Sequence, residues 1–395
     1  MNNNQKSRNA DDKYMAIVWG TFIPFCFFFI KIVYSVYLNA YNPDYEGTAP
    51  DFLAFWSAAK MAIAGEAASA YDQTQLILVQ WEAFPNFTIF LPWLNPPVFL
   101  FFIYPLGYLD FFSAFIVWIF LTTSICAWYC SRLVPAKLII PAIFCTFPFY
   151  AAFSNGQNSI LLTALWAATS YCFLSRKQYQ AGIMIALMLF KPQYGILVPF
   201  ALIAGKEWRT LFSATAGSVF ILFAAFFCFG FEPWQQLMEE NTVFFNRQIA
   251  NPDTNEEFGL LYSVYGVIRY FFDCSYEAAM SIQAFISLLC ALITIRVWIH
   301  KKIPYEIKLA VLITASLLCN YYVYWHDLFL LTVPVILLLR SQKDDNKIKH
   351  ENIFYIGLIY MTYLTNAVDW QIMFLPLALI IYILYRRYVY YAALQ

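Results

Sequence analysis

The sequence predicts an all-α polytopic membrane protein, and three observations carry that expectation. Hydrophobic residues fill 62% of the 395 positions against 12% charged, long apolar runs recur from end to end, and lysine and arginine gather in alternate loops. Soluble domains average about 45–50% apolar and about 25% charged residues, so this chain is too apolar to present an ordinary wetted surface. A helix crosses hydrocarbon with about 20 apolar residues. The first run, 14–38, is longer and holds a single charge, Lys31. Lys6, Arg8 and Lys13 precede it and no small-residue cleavage site follows, so it is expected to stay as an anchor.

Further apolar segments lie at 110–129, 137–153, 159–174, 180–190, 194–204, 210–231, 277–299, 307–319, 328–339, 353–365 and 370–385, giving about twelve expected spans. Threading them through a membrane places nineteen of the 24 lysines and arginines on one side, which the positive-inside rule makes cytoplasmic. Both termini fall there, with a cytoplasmic tail at 1–13 and a loop at 340–351. Only Lys60, Lys191, Arg247 and Arg269 fall outside. The run 97–106 is too short to cross, and a crossing would carry Arg132 and Lys137 outward. It reads as re-entrant or surface-lying, as does 260–272, which is tolerated where protein or a wet cavity shields the backbone. The chain therefore reads as one membrane-embedded domain, 1–395, with long outer loops at 39–95 and 232–277. Its chemistry is expected on that outer face, because no inner loop is long enough to form a domain.

Eight of the nine cysteines lie in apolar stretches, Cys274 sits in a polar loop, and no CxxC occurs. They read as small buried hydrophobes, so neither a metal site nor a disulfide framework is expected. Net charge is zero, and no nucleic acid is expected as a partner.

The stretch "DFLAFWSAAKMAIAGEAASAYD" opens and closes on aspartate. Asp72, with Gln75 three residues on, fits a capping box for the helix "QTQLILVQWEAF". Pro50 suits a first helical position, Asp51 the first turn, and Gly65 the stop. At 100° per residue Asp51 shares a face with Phe55, Ala58, Ala62 and Gly65, while Leu53, Ser57, Lys60 and Ala64 lie opposite. A dipole-stabilised helix end and a catalytic carboxylate are both open readings of Asp51. "FSNGQNSILLTALW" sets Asn155, Gln157 and Asn158 at an outer turn: a helix cap with a glycine turn is the favoured reading, with amides that hold sugar hydroxyls or a phosphate as the functional one. "FKPQYG" breaks a helix at Pro192 and leaves Lys191, beside Gln193, as a phosphate-facing cation at the lipid boundary. "NYYVYWHD" combines an interfacial aromatic belt with Tyr324, His326 and Asp327, which suit either a helix cap or an acid–base or sugar-binding pair. Arg247 can balance nearby glutamates, whereas Arg269 is the better phosphate candidate.

In this order "DFLAFWSAAKMAIAGEAASAYD", "NPPVFLFFIYPLGYLD", "NGQNSILLTALWAA", "QAGIMIALMLFKPQYGILVPFALIAGKEWR", "FGFEPWQQLM" and "NYYVYWHDLFLLTVP" resemble glycosyltransferase family 87, over about 51–334. The resemblance implies a GT-C-like fold and inverting transfer of a sugar, mannose above all, from a polyprenyl-phosphate carrier to a glycan or lipid acceptor, with no obligatory metal or other cofactor. It implies that Asp51, heading the first outer helix, is the catalytic base. Lys191, Arg269 and Arg247 would then face the donor phosphate, and His326 would hold or tune Asp51. Asn155, Gln157, Asn158, Gln193, Asp327 and Tyr324 would bind sugar or acceptor. The implied location is the inner (plasma) membrane with the site facing the periplasm or exterior. A transporter or flippase of a lipid-linked or small polar substrate is the alternative, since broken helices serve it equally.

Overall fold

A computed structural model describes residues 26–27, 29–38, 41, 50–85, 90–134, 146–246, 261–272 and 274–341. The expected spans 353–365 and 370–385, the tail 1–13, Arg247, most of the cytoplasmic loop and half of the first span lie outside the described residues. Every regular element among the described residues is helical: α1 (Phe29–Leu38), α2 (Phe52–Ile63), α3 (Gln73–Ala83), α4 (Leu100–Ile103), α5 (Phe111–Leu133), α6 (Phe147–Ser154), α7 (Ser159–Leu174), α8 (Gln178–Ala186), α9 (Val198–Ala204), α10 (Trp208–Phe229), α11 (Glu232–Phe244), α12 (Val264–Phe272), α13 (Tyr276–Ile299), α14 (Tyr305–Leu318) and α15 (Thr332–Arg340).

Three of these, α5, α10 and α13, are long and apolar enough to cross a membrane, with 23, 22 and 24 residues. At 1.5 Å per residue they reach about 33–36 Å, more than the hydrocarbon thickness of about 30 Å. Their outward faces carry Phe120, Phe220, Phe227, Phe285 and Leu288, all exposed, as lipid contact requires. Among the described residues these three are the helices of that length, so the expected count of twelve is not confirmed. An apolar run reports burial in protein as well as in lipid, and α7 and α14 are sheathed by neighbouring helices along nearly their whole length. At 16 and 14 residues they are core helices of the bundle.

The segment before α5 is short, as expected. Pro97–Phe99 and Tyr104–Tyr108 are 3-10 turns on either side of α4, and this broken stretch packs along α2. A side chain at Gly107 would put its Cβ 2.8 Å from the Ala59 carbonyl, so only glycine permits that approach. The consequence for α2 is that both faces are covered: Leu53 and Ser57 are as buried as Phe55 and Ala58. Lys60 alone emerges in mid-helix, its Nζ 5.3 Å from the Trp56 ring.

The run 178–204 is likewise interrupted. Helix α8 passes into a 3-10 turn Leu187–Phe190, breaks at Lys191 (φ −134°, ψ 68°), resumes as a second 3-10 turn Pro192–Gly195, and continues as α9. Pro192, without an N–H and with φ fixed, accounts for the break.

Candidate active site

The start of α2 is built mostly from backbone. Phe52 N–H donates to Asn155 O at 2.9 Å, Leu53 N–H to Pro50 O at 2.9 Å, and Ala54 N–H to Asp51 O at 3.1 Å. Pro50 therefore precedes the helix instead of heading it. The first orphan donors of the helix are satisfied by carbonyls, and the Asp51 side chain makes no capping hydrogen bond. Its Oδ2 instead accepts from Gln157 Nε2 at 2.5 Å. Asp72 behaves oppositely: it caps α3, accepting from Thr74 and Gln75 N–H. Its hydrogen bond from the Thr74 hydroxyl and those from the two amides hold its carboxyl below the ordinary value despite partial desolvation.

The turn that supplies Gln157 is locked against α2. Gly156 has φ +64°, and a Cβ there would meet Phe52 Cβ at 2.6 Å. Its carbonyl accepts from Trp118 Nε1 at 2.8 Å, and the Trp118 ring stacks on Phe52. Asn158 stands at the cap position of α7 without capping it. Its Nδ2 donates to Asn95 Oδ1 at 2.9 Å. Asn155 turns its amide back onto Ala151 O at 2.9 Å, so it serves the turn through its backbone while its side chain closes its own helix.

A second group joins the α8–α9 break to the turn before α15. Lys191 Nζ lies 2.7 Å from Asp327 Oδ1, with side chains 12% and 5% exposed. The other oxygen, Asp327 Oδ2, accepts from Tyr324 N–H at 3.4 Å and lies 3.7 Å from His326 Nε2. Asp327 thus closes a capping box on the 3-10 turn Trp325–Leu331, whose cap position is Tyr324, instead of capping the following helix, and at the same time holds Lys191. Burial opposes its charge, yet Lys191 and the neighbouring hydrogen bonds keep its carboxyl below the ordinary value. His326 is stacked on Tyr324 at 5.6 Å, and its Nδ1 is buried with no hydrogen bond among the described residues. Burial pushes its pKa below the ordinary imidazole value, helped by Lys191 and resisted by Asp327 and by Asp51. That last interaction connects the two groups: Asp51 lies close enough to bear on the charge of His326.

The remaining predicted residues are dispersed. Gln193 is exposed on its 3-10 turn. Arg269 is buried on α12, and its charge bears on Tyr265 and Glu277. Its neighbour Tyr265 packs with Leu261 and Ala279 in a small cluster that meets the turn before α15 through Tyr262 N–H to Val323 O, the Ser263 hydroxyl to Tyr321 O, and the Tyr265 and Tyr321 rings. Tyr324 contributes its ring face to His326, while its hydroxyl meets Tyr322 at 3.1 Å.

Three residues that sequence reasoning did not place in the site enter it. Asn95 binds Asn158. Tyr194 is fully buried against Asp327 and Asn320, its hydroxyl in hydrogen-bond geometry with neither. Asn320, also buried, turns its Oδ1 to Tyr322 N–H. The "NYYVYWHD" motif was the available signal for Asn320. Tyr194, inside an apolar run, gave none.

Helical structure throughout the described residues, three helices long and apolar enough to cross a membrane, and a carboxylate, amides, a lysine and a histidine at helix ends and breaks fit the class of membrane-embedded glycosyltransferases. The chain belongs to glycosyltransferase family 87, whose family profile matches residues 93–320. The match is narrower than the resemblance read from the motifs: the whole of α2 with Asp51 lies before its first residue, and Tyr324, His326 and Asp327 lie shortly after its last. No curated protein matches the chain.

Proposed function

We propose that this chain transfers mannose from a polyprenyl-phosphate carrier to a hydroxyl of a glycan or lipid acceptor, inverting the sugar carbon, on the outer face of the plasma membrane. The observation that carries the reading is the Asp51 carboxylate, exempt from capping its helix and oriented by Gln157. In the reaction the acceptor oxygen bonds to the anomeric carbon as the carbon–oxygen bond to phosphate breaks. The electron pair leaves with the phosphate, and the hydroxyl proton passes to Asp51. One base suffices, because a phosphate departs without a proton.

His326, kept neutral by burial and electrostatically coupled to Asp51, is the partner that holds or relieves that proton. Lys191 offers three N–H donors, one of them engaged by Asp327, and the others serve the charge growing on the leaving phosphate. Arg269 and Arg247 are secondary candidates for that phosphate. Gln157 and Asn158 line the hydroxyl side, with Asn155, Gln193 and Tyr324 subordinate to them. The segregation of lysine and arginine supports the outward orientation.

The test is transfer from radiolabelled polyprenyl-phosphate mannose by protein in membranes. Asp51→Asn is expected to abolish product at unchanged expression and unfolding temperature. Substantial product from that variant refutes Asp51 as base.

A further inference from the structure

The stretch 91–95 is anchored far more heavily than a connecting loop requires. Gln80, fully buried in α3, clasps Leu91 from both sides: its Nε2 donates to Leu91 O at 2.7 Å and its Oε1 accepts from Leu91 N–H at 3.2 Å. Trp93 is buried and stacks on Phe99 at 5.7 Å. Tyr71 Oη donates to Asn95 O at 2.7 Å. With its backbone fixed at both ends, the stretch presents one half-buried side chain, Asn95, to Asn158. Asn158 is 1% exposed, yet its Oδ1 has no hydrogen-bond partner among the described residues. A buried carbonyl oxygen left so costs about 1–3 kcal/mol, and a ligand donor would relieve it. The preceding residue in the chain, Gln157, holds Asp51.

We infer that Asn95, paired with Asn158, is a positioning residue of the acceptor subsite and selects an uncharged, hydroxyl-bearing acceptor. The inference rests on the transferase reading and says which side of the reaction this belt serves. Carboxamides both donate to and accept from hydroxyls, and the charge on this belt is the Asp51 carboxylate, which disfavours an anion. The cation of the site, Lys191, sits in the other group, held by Asp327. Neutral hydroxyls and phosphate are thereby assigned to different groups of side chains.

The experiment measures binding of two probes to protein in zwitterionic nanodiscs: tritiated octyl α-mannoside as neutral acceptor and polyprenyl phosphate as the donor's leaving group. Asn95→Ala is expected to weaken the glycoside about tenfold, the loss of one to two hydrogen bonds, and to leave polyprenyl phosphate within twofold. Asn95→Asp, which keeps the oxygen that Asn158 donates to, guards against misfolding and is expected to show the same selective loss. Unchanged glycoside binding, or equal loss of both probes in both variants, overturns the inference. Transfer from polyprenyl-phosphate mannose is assayed on the same samples. Selective loss of glycoside binding with no transfer by the wild type supports this subsite and refutes the donor reading alone.

Discussion

Gln157 reaches across 106 residues of sequence to donate its side-chain amide to Asp51 at 2.5 Å. The contact exists because the "NGQN" turn docks on the first turn of α2 through Phe52 N–H and Asn155 O, which brings the two side chains into register. A carboxylate fixed in this way can meet a hydroxyl without first finding its orientation. Gln157→Leu is therefore expected to lower kcat about 10- to 100-fold, since small misplacements of a base have that effect, with little change in donor KM. Stability should fall by no more than about 3 kcal/mol, the upper end for one hydrogen bond to a charged group. Initial rates with radiolabelled donor check this, and a variant with wild-type kcat refutes the orienting role.

Lys191 and Asp327 form a buried pair, so each depends on the other. Asp327→Asn leaves an ammonium in a poorly hydrated site, and Lys191→Met leaves a carboxylate there. Each single change is expected to destabilise by about 3 kcal/mol. The double variant should lose less than the sum, because no uncompensated charge remains. A double-mutant cycle on unfolding midpoints decides the matter, and strict additivity excludes the coupling.

What could be read in advance follows from what is local. The bounds of α7, Ser159–Leu174, match the expected segment, the break at Pro192 is where the proline requires it, and Asp72 caps as its spacing implies, because each depends on residues within a turn of one another. The Lys191–Asp327 pair joins positions 136 residues apart, and no spacing rule links them. Asn95 looked like a loop residue before two prolines, since its meaning comes from Asn158. Reading α2 at 100° per residue separates two faces but does not say what covers each, and the broken segment 97–108 packs on it from a part of the chain that no spacing rule links to it. An apolar run likewise reports burial in protein as well as in lipid, so the run alone does not say which of the two encloses a short helix.

Gly156 tests whether the turn, and not just Gln157, sets the carboxylate. Its φ of +64° is strained for an L side chain, and an added methyl would fall 2.6 Å from Phe52 Cβ and 3.1 Å from the Phe115 ring. The left-handed conformation costs about 1 kcal/mol and forced overpacking about 1–3 kcal/mol more. Gly156→Ala is thus expected to lose about 2–4 kcal/mol of stability and, by shifting Phe52, most of the transfer activity governed by Asp51. Gly195→Ala is the control. Its Cβ would meet nothing within 4 Å, and its unfolding midpoint should not move. Equal midpoints for the two variants would show that the turn yields.

His326 makes the acid side of the stability profile predictable. Burial lowers its pKa below the ordinary value of about 6.5, against the pull of Asp327 and Asp51 and with the push of Lys191. The folded protein therefore holds a neutral ring where the unfolded chain, below about pH 6.5, binds a proton. More protons on the unfolded side mean that stability rises with pH. The contribution of His326 is complete above about pH 6.5 and is lost as pH falls from there toward its lowered folded value. The slope reaches about 1.4 kcal/mol per pH unit at most. Asp327, also lowered, adds its own loss only below the carboxylate range, near pH 4 and under. Between pH 7 and pH 5 the unfolding temperature of the wild type should drop more steeply than that of His326→Gln, which has no ring to protonate. Parallel profiles over that interval would mean that the ring is charged in the folded state, and would remove it as the neutral partner of Asp51.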